Sequence, residues 1–350
     1  MVGPMTATTI FFTGKNKVEV SDEPAPQPKA GELLVQATRT LISTGTEGIC
    51  LSRNFAPGTS WEEWVQYPFK PGYMHMGRVV AIGEGVEGWQ VGDRVASAAN
   101  HSSLVTVPAK LAARVPKSVS DEEAAWAVLG RITQLGVRAA KHEMGDTAVV
   151  IGLGMLGQLV VQYARLMGCQ EVIAIDTAPM RLELARKSGA TAALQMTAAE
   201  ALRSVKTMTA GRRADVVYDV TGHHAVFATA LPLARKFGTV ILLGDTGMPD
   251  RQTLTGDVIQ RGLRIVGVHA GHAPDEATDY QRWTRIMMDE LFLKYVADRR
   301  MSVKGLITHR YNVADAAQAY ELLLTRRDTA MGVMIEWQED EQMPRAGRKH

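Results

Sequence analysis

The sequence predicts an α/β chain of two domains: a β-rich domain, followed by a doubly wound parallel sheet with helices on both faces. Three observations predict it. Short apolar runs punctuated by glycine and proline fill the first third of the chain. Strand and helix patterns alternate from about residue 120. The length of 350 residues exceeds what a single core usually serves.

The elements follow in order. Lys17–Val20 and Leu33–Ala37 read as strands separated by the proline turn of Pro24, Pro26 and Pro28. Gly77–Gly83 reads as a strand closing on a glycine, and Gly92-Asp93-Arg94-Val95 as a turn feeding the next strand. Such strands suggest a small barrel or sandwich. Ala148–Ile151 is then a buried strand, with a helix closing at Gly168, and Glu171–Ile175 is the next strand. Its helix carries Pro179 in the first turn and Gly189 at the end, the usual start and stop signals. Asp215–Val220, Thr239–Leu243 and Arg264–Val268 continue the series. Tyr280–Asp298 reads as helical, Met331–Trp337 as a last strand, and 338–350 as a polar disordered tail. The expected domains are 1–120, 121–279, and a return to the first domain over 280–337.

Composition excludes several classes. Hydrophobic residues at 46% and charged residues at 22% fit a globular core, and a net charge of +2 argues against a polyanionic partner, so nucleic acid is not expected. Met1–Phe12 has no positive charge before its apolar stretch, unlike a signal peptide. The most apolar run, Ala148–Val161, is short and broken by Gly152, Gly154, Gly157 and Gln158, so no membrane span is expected. Cys50 and Cys169 are the only cysteines, which points to reduced thiols and a cytoplasmic setting.

The sharpest motif is Gly152-Leu153-Gly154-Met155-Leu156-Gly157, directly after a strand and opening a helix. The first glycine permits the tight turn, the second lets a pyrophosphate approach the backbone, and the third allows close helix–strand packing. The helix start offers N–H groups and partial positive charge to phosphates. Asp176 ends the next strand, 24 positions after Gly152, where a carboxylate hydrogen-bonds a ribose diol. Strand, turn, helix and acid together mark a Rossmann-type dinucleotide site. The carboxylate would repel a 2′-phosphate, which favours NAD(H), while the nearby Arg181 keeps NADP(H) open.

The order of parts resembles the medium-chain dehydrogenase/reductase superfamily, the alcohol dehydrogenase and quinone reductase relatives, across residues 10–337. The resemblance rests on Gly72–Gly83, Gly92–Val95, the glycine motif with Asp176, and Asp215–Gly222. It implies a GroES-like catalytic domain joined to the Rossmann domain, with substrate between them and Gly244 and His269 near the cofactor. It also implies a homodimer paired along Arg264–His269. Many relatives hold a catalytic zinc, and this sequence departs from them at each ligand. Thr44-Gly45-Thr46-Glu47 replaces the first cysteine's motif, Tyr73 replaces the histidine, and Gly130 or Arg131 replaces the third ligand. The four-cysteine lobe is missing after Gly92–Val95. No zinc is therefore expected.

Without the metal, Tyr73 would donate a proton or hydrogen bond to charge created by hydride transfer, or else pack with its hydroxyl satisfied by backbone. By the resemblance Thr44, Glu47 and His75 share that pocket. His101, His269 and His272 are weaker candidates, since histidines at strand ends are commonly solvated or hydrogen-bonded. Trp61 and Trp64, three residues apart, would share one helical face and either pack in the core under a loop or wall an apolar substrate pocket, with Met74 and Met76 as adaptable lining. The expected function is zinc-free hydride transfer from NAD(P)H to a small, apolar, conjugated C=C substrate. A narrower similarity, to polycyclic tetramate macrolactam reductive cyclases and the bacteriochlorophyllide dehydrogenase group, would make it reductive ring closure in natural-product biosynthesis. The alternatives are a zinc-free alcohol or polyol dehydrogenase and a non-catalytic dinucleotide-binding protein.

Overall fold

A computed structural model describes residues 5–338. The tail expected over 338–350 lies outside the described residues, apart from its first position, Gln338. The chain divides into two compact units: Met1–Arg53, Val65–Arg131 and Pro274–His350 form one, and Asn54–Trp64 with Ile132–Ala273 form the other.

The first unit is built on a seven-stranded sheet centred on Glu32–Ile42, the longest strand. It pairs antiparallel with His75–Ile82, with Leu104–Pro108 and with the returning strand Gly332–Glu336. The return is thus a sheet pairing: Gly332–Glu336 sits between Glu32–Ile42 and Ile307–Asn312. A hairpin of Thr6–Gly14 and Lys17–Pro24 adds a two-stranded sheet. Leu33, Val35, Val79, Val95, Val105 and Val107 share one buried cluster, the inward residues of these alternating strands.

In the second unit six parallel strands are ordered Ala192–Gln195, Glu171–Asp176, Thr147–Ile151, Ala214–Asp219, Ala234–Leu242, Arg264–Gly267. Numbered along the unit this is 3-2-1-4-5-6, the doubly wound order whose switch point lies beside the first strand. Thr147–Ile151 is buried at every position, as a central parallel strand with both faces covered must be. Gly168 and Gly189, read as stop signals, have φ of +89° and +106°.

Some expectations are corrected. The boundary near 121 moves to 131, because Asp121 accepts from Thr38 Oγ1 at 2.8 Å and pairs with Arg94, tying the start of the helical region to the first sheet. The helix expected from Tyr280 begins at Arg285, because Thr284 caps it by accepting from the Met287 N–H, and a further helix, Ala316–Thr325, follows it. Among the described residues no helix is long and apolar enough to cross a membrane.

Candidate active site and cofactor site

The dinucleotide turn is assembled by steric necessity. Gly152 has φ of +88°, and a Cβ there would lie 2.8 Å from Thr221 Cγ2. A Cβ on Gly157 would lie 2.0 Å from the Gly152 carbonyl oxygen, so helix Met155–Leu166 approaches the strand only because residue 157 has no side chain. Gly154 is different: a Cβ there would meet nothing within 4 Å. The space over it is open, as the approach of a pyrophosphate requires. Leu156 and Gly157 lie in the helix's first turn, whose N–H groups have no partner within the helix. Gln158 secures the turn from behind, its amide donating to the Leu153 and Arg181 carbonyls at 3.0 and 2.9 Å.

Asp176 is fixed at the end of its strand. It accepts from the Leu153 N–H at 2.7 Å and the Ala178 N–H at 2.9 Å, and Arg181 Nη1 is 3.8 Å away. Leu153 itself is buried and its N–H is committed to Asp176, so it holds the acid in place and does not bind phosphate. Gly244 passes so near Gly222 that a Cβ would lie 2.4 Å from the Gly222 nitrogen. His269 is exposed and accepts from the Gly271 N–H at 3.1 Å. The turn and the fixed acid fit a dinucleotide.

In the first unit Tyr73 is half-buried, its hydroxyl 2.5 Å from Ser43 Oγ and 3.4 Å from Thr46 Oγ1. Burial raises its pKa, against the lowering effect of the Ser43 and Thr46 hydrogen bonds, so it stays a phenol at neutral pH. Thr44 adjoins this hydroxyl cluster in sequence. Glu47 is 1% exposed, accepting from the Ser43 N–H at 2.7 Å and from the Tyr320 hydroxyl, with His101 Nε2 at 3.1 Å. With both oxygens engaged by protein groups, Glu47 braces Ser43 rather than meeting a substrate. His101 is fully buried on this carboxylate, beside Gly72, where a Cβ would strike its ring, so it does not line a pocket.

His75 is also buried, 3.4 Å from the Ser102 carbonyl, and burial pulls its pKa down to about 4. It is neutral at pH 7 and is no acid. Met74 has no exposed surface and belongs to the core. Trp61 and Trp64 do share a face, on helix Ser60–Trp64 with ring centroids 5.9 Å apart, but their segment belongs to the nucleotide unit, where Ala56 donates to the Gly247 carbonyl. Trp61 is buried and Trp64 half exposed. Sequence reasoning does not single out Ser43 or Tyr320. Ser43 lies beside the Thr44 motif, whereas Tyr320 is 273 positions from Glu47 and gives no local signal.

The donor set does not fit zinc. Among the described residues no three His, Cys, Asp or Glu side chains are placed to hold a metal. Hydroxyls surround Tyr73, Glu47 is already engaged, and burial pushes the Cys50 thiol far up, away from the thiolate that zinc takes.

Residues 36–117 match the alcohol dehydrogenase GroES-like domain, and residues 156–290 match the zinc-binding dehydrogenase domain. The chain is 25% identical to a sorbitol dehydrogenase of Bacillus subtilis (strain 168), over 91% of this chain and 95% of that one. A short chain alcohol dehydrogenase from Escherichia coli CFT073, solved with NADH, superposes with a TM-score of 0.78 at 21% identity, covering 95% of this chain and 99% of that one. A Sinorhizobium meliloti 1021 protein described as a zinc-binding dehydrogenase, solved with NADP, gives 0.77 at 21% identity, covering 95% and 99%. Fold, turn and matches together define a two-domain nicotinamide-dependent dehydrogenase. The chain belongs to the medium-chain dehydrogenase/reductase superfamily and is an NAD(P)-dependent oxidoreductase.

Proposed function

We propose that this enzyme is a zinc-independent reductase that uses NADH to reduce a conjugated C=C bond, with Tyr73 as the proton donor. The observation that carries the reading is the Tyr73 hydroxyl, kept as a phenol by burial and hydrogen-bonded to Ser43. A group that holds its proton is a poor base for oxidising an alcohol and has a proton to place on charge arriving on a substrate. A bound reduced nicotinamide supplies hydride. Addition to an isolated ketone creates an alkoxide, a charge that zinc commonly holds in this superfamily. Addition to the β-carbon of an enone creates a delocalised enolate, which a neutral phenol can stabilise. Tyr73 then gives its proton, Ser43 and Thr46 steady the phenolate, and solvent restores the proton.

Asp176 supports NADH over NADPH, since two backbone N–H groups hold its carboxylate in place against a 2′-phosphate. A homodimer paired along the edge strand Arg264–Gly267, acting in the cytoplasm, belongs to the same reading; that strand ends the sheet with its outer backbone groups unpaired within it, and both cysteines are free and buried.

A second reading is a metal-free alcohol or polyol dehydrogenase, favoured by the similarity to sorbitol dehydrogenase and by the three hydroxyls gathered at Ser43, Thr46 and Tyr73. Initial rates of chelator-treated protein with an enone panel and NADH, and with sorbitol and butanediol and NAD, separate the two. The proposal expects enone turnover at least tenfold above polyol turnover. Turnover of polyols alone would replace it with the second reading.

A further inference from the structure

The first unit holds a cavity of about 530 Å³, bounded by the segment from Ala98 to Leu111, by Pro24 and Pro26, and by Lys70, Arg131 and Arg285. Its size suits a small organic molecule. Its residues are not those of the hydroxyl cluster or the glycine turn. Lys70 is spent on Glu23, 2.6 Å away; Arg285 is paired with Asp275 through Nε at 2.8 Å, but 36% of its side chain stays exposed.

Arg131 differs. Its side chain is 7% exposed, and Nη1 donates to Asp289 Oδ2 at 2.7 Å. Its Nε is buried with no partner, as is Asp289 Oδ1. Burial pushes Asp289 up to about 7 despite the guanidinium beside it. A buried guanidinium that leaves one edge unsatisfied is costly, and a second acceptor would offset the cost. The planar Nε edge matches a carboxylate or phosphate, which accept two parallel N–H bonds.

We propose that this cavity binds a small molecule through a carboxylate or phosphate group that draws the Arg131 guanidinium toward it and satisfies the orphaned Nε, with Arg285 and Asn100 completing its surroundings. The site stands independently of the reaction proposed above.

The test is calorimetric titration of the full chain with inorganic phosphate and with malonate, in saturating NADH so that the glycine turn is filled. One-to-one saturable binding of either anion is expected, phosphate marking a phosphoryl group and malonate a carboxylate. Affinity should fall at least tenfold in Arg285→Gln and in the double variant Arg131→Met with Asp289→Leu, which replaces the ion pair with apolar side chains of similar length. An unchanged Tm in Arg285→Gln shows that the loss is not unfolding. No saturable binding of either anion, or undiminished affinity in both variants, overturns the proposal.

Discussion

At the residue scale Tyr73 and His75 are neighbours with opposite fates. Tyr73 keeps a hydroxyl on Ser43, and Tyr73→Phe should lower kcat about 100-fold while leaving the NADH Kd unchanged, as steady-state rates and fluorescence titration would show. His75 is buried neutral with a pKa of about 4, against 6.5 when unfolded. Between those values the unfolded chain binds the extra proton, so stability falls as pH drops from about 6.5 to about 4, by about 3 kcal/mol in all. Denaturant midpoints across that range should show the loss, and His75→Gln should flatten it; an equal slope in both proteins would refute the assignment. Tyr73 is legible in the sequence because it stands at a motif position. The roles of Glu47, His101 and His75 are not, because burial and partner choice are set by distant chain: Tyr320 and the Asn100–Ser102 segment.

At the scale of elements, the glycine turn separates packing from binding. Gly157→Ala would drive a Cβ to 2.0 Å from the Gly152 carbonyl, so overpacking should cost about 1–3 kcal/mol and lower Tm. Gly154→Ala meets no protein atom within 4 Å, so Tm should hold while NADH binding weakens at least tenfold. Thermal melts and titrations of both variants check the contrast. Asp176→Ser should shift the NADH-to-NADPH affinity ratio toward NADPH by at least tenfold, read from the two Kd values. The turn is legible because each glycine answers a local steric demand. The strands Thr6–Gly14, Ala192–Gln195 and Ile307–Asn312 are not, because their pairing partners rather than their own patterns make them strands.

At the scale of the whole molecule, the parallel sheet with its order 3-2-1-4-5-6 follows from strand–helix alternation, since that repetition buries a sheet on both faces. The assignment of Asn54–Trp64 to the nucleotide unit is hidden from sequence reasoning, because it depends on a contact between Ala56 and Gly247, far apart along the chain. We propose that this chain binds its nicotinamide cofactor without zinc, and the most direct measurement is a fluorescence titration of chelator-treated protein with NADH, repeated after adding zinc. Saturable binding with the same Kd is expected in both titrations. Binding that appears only after zinc is added, or no saturable binding in either, would contradict it.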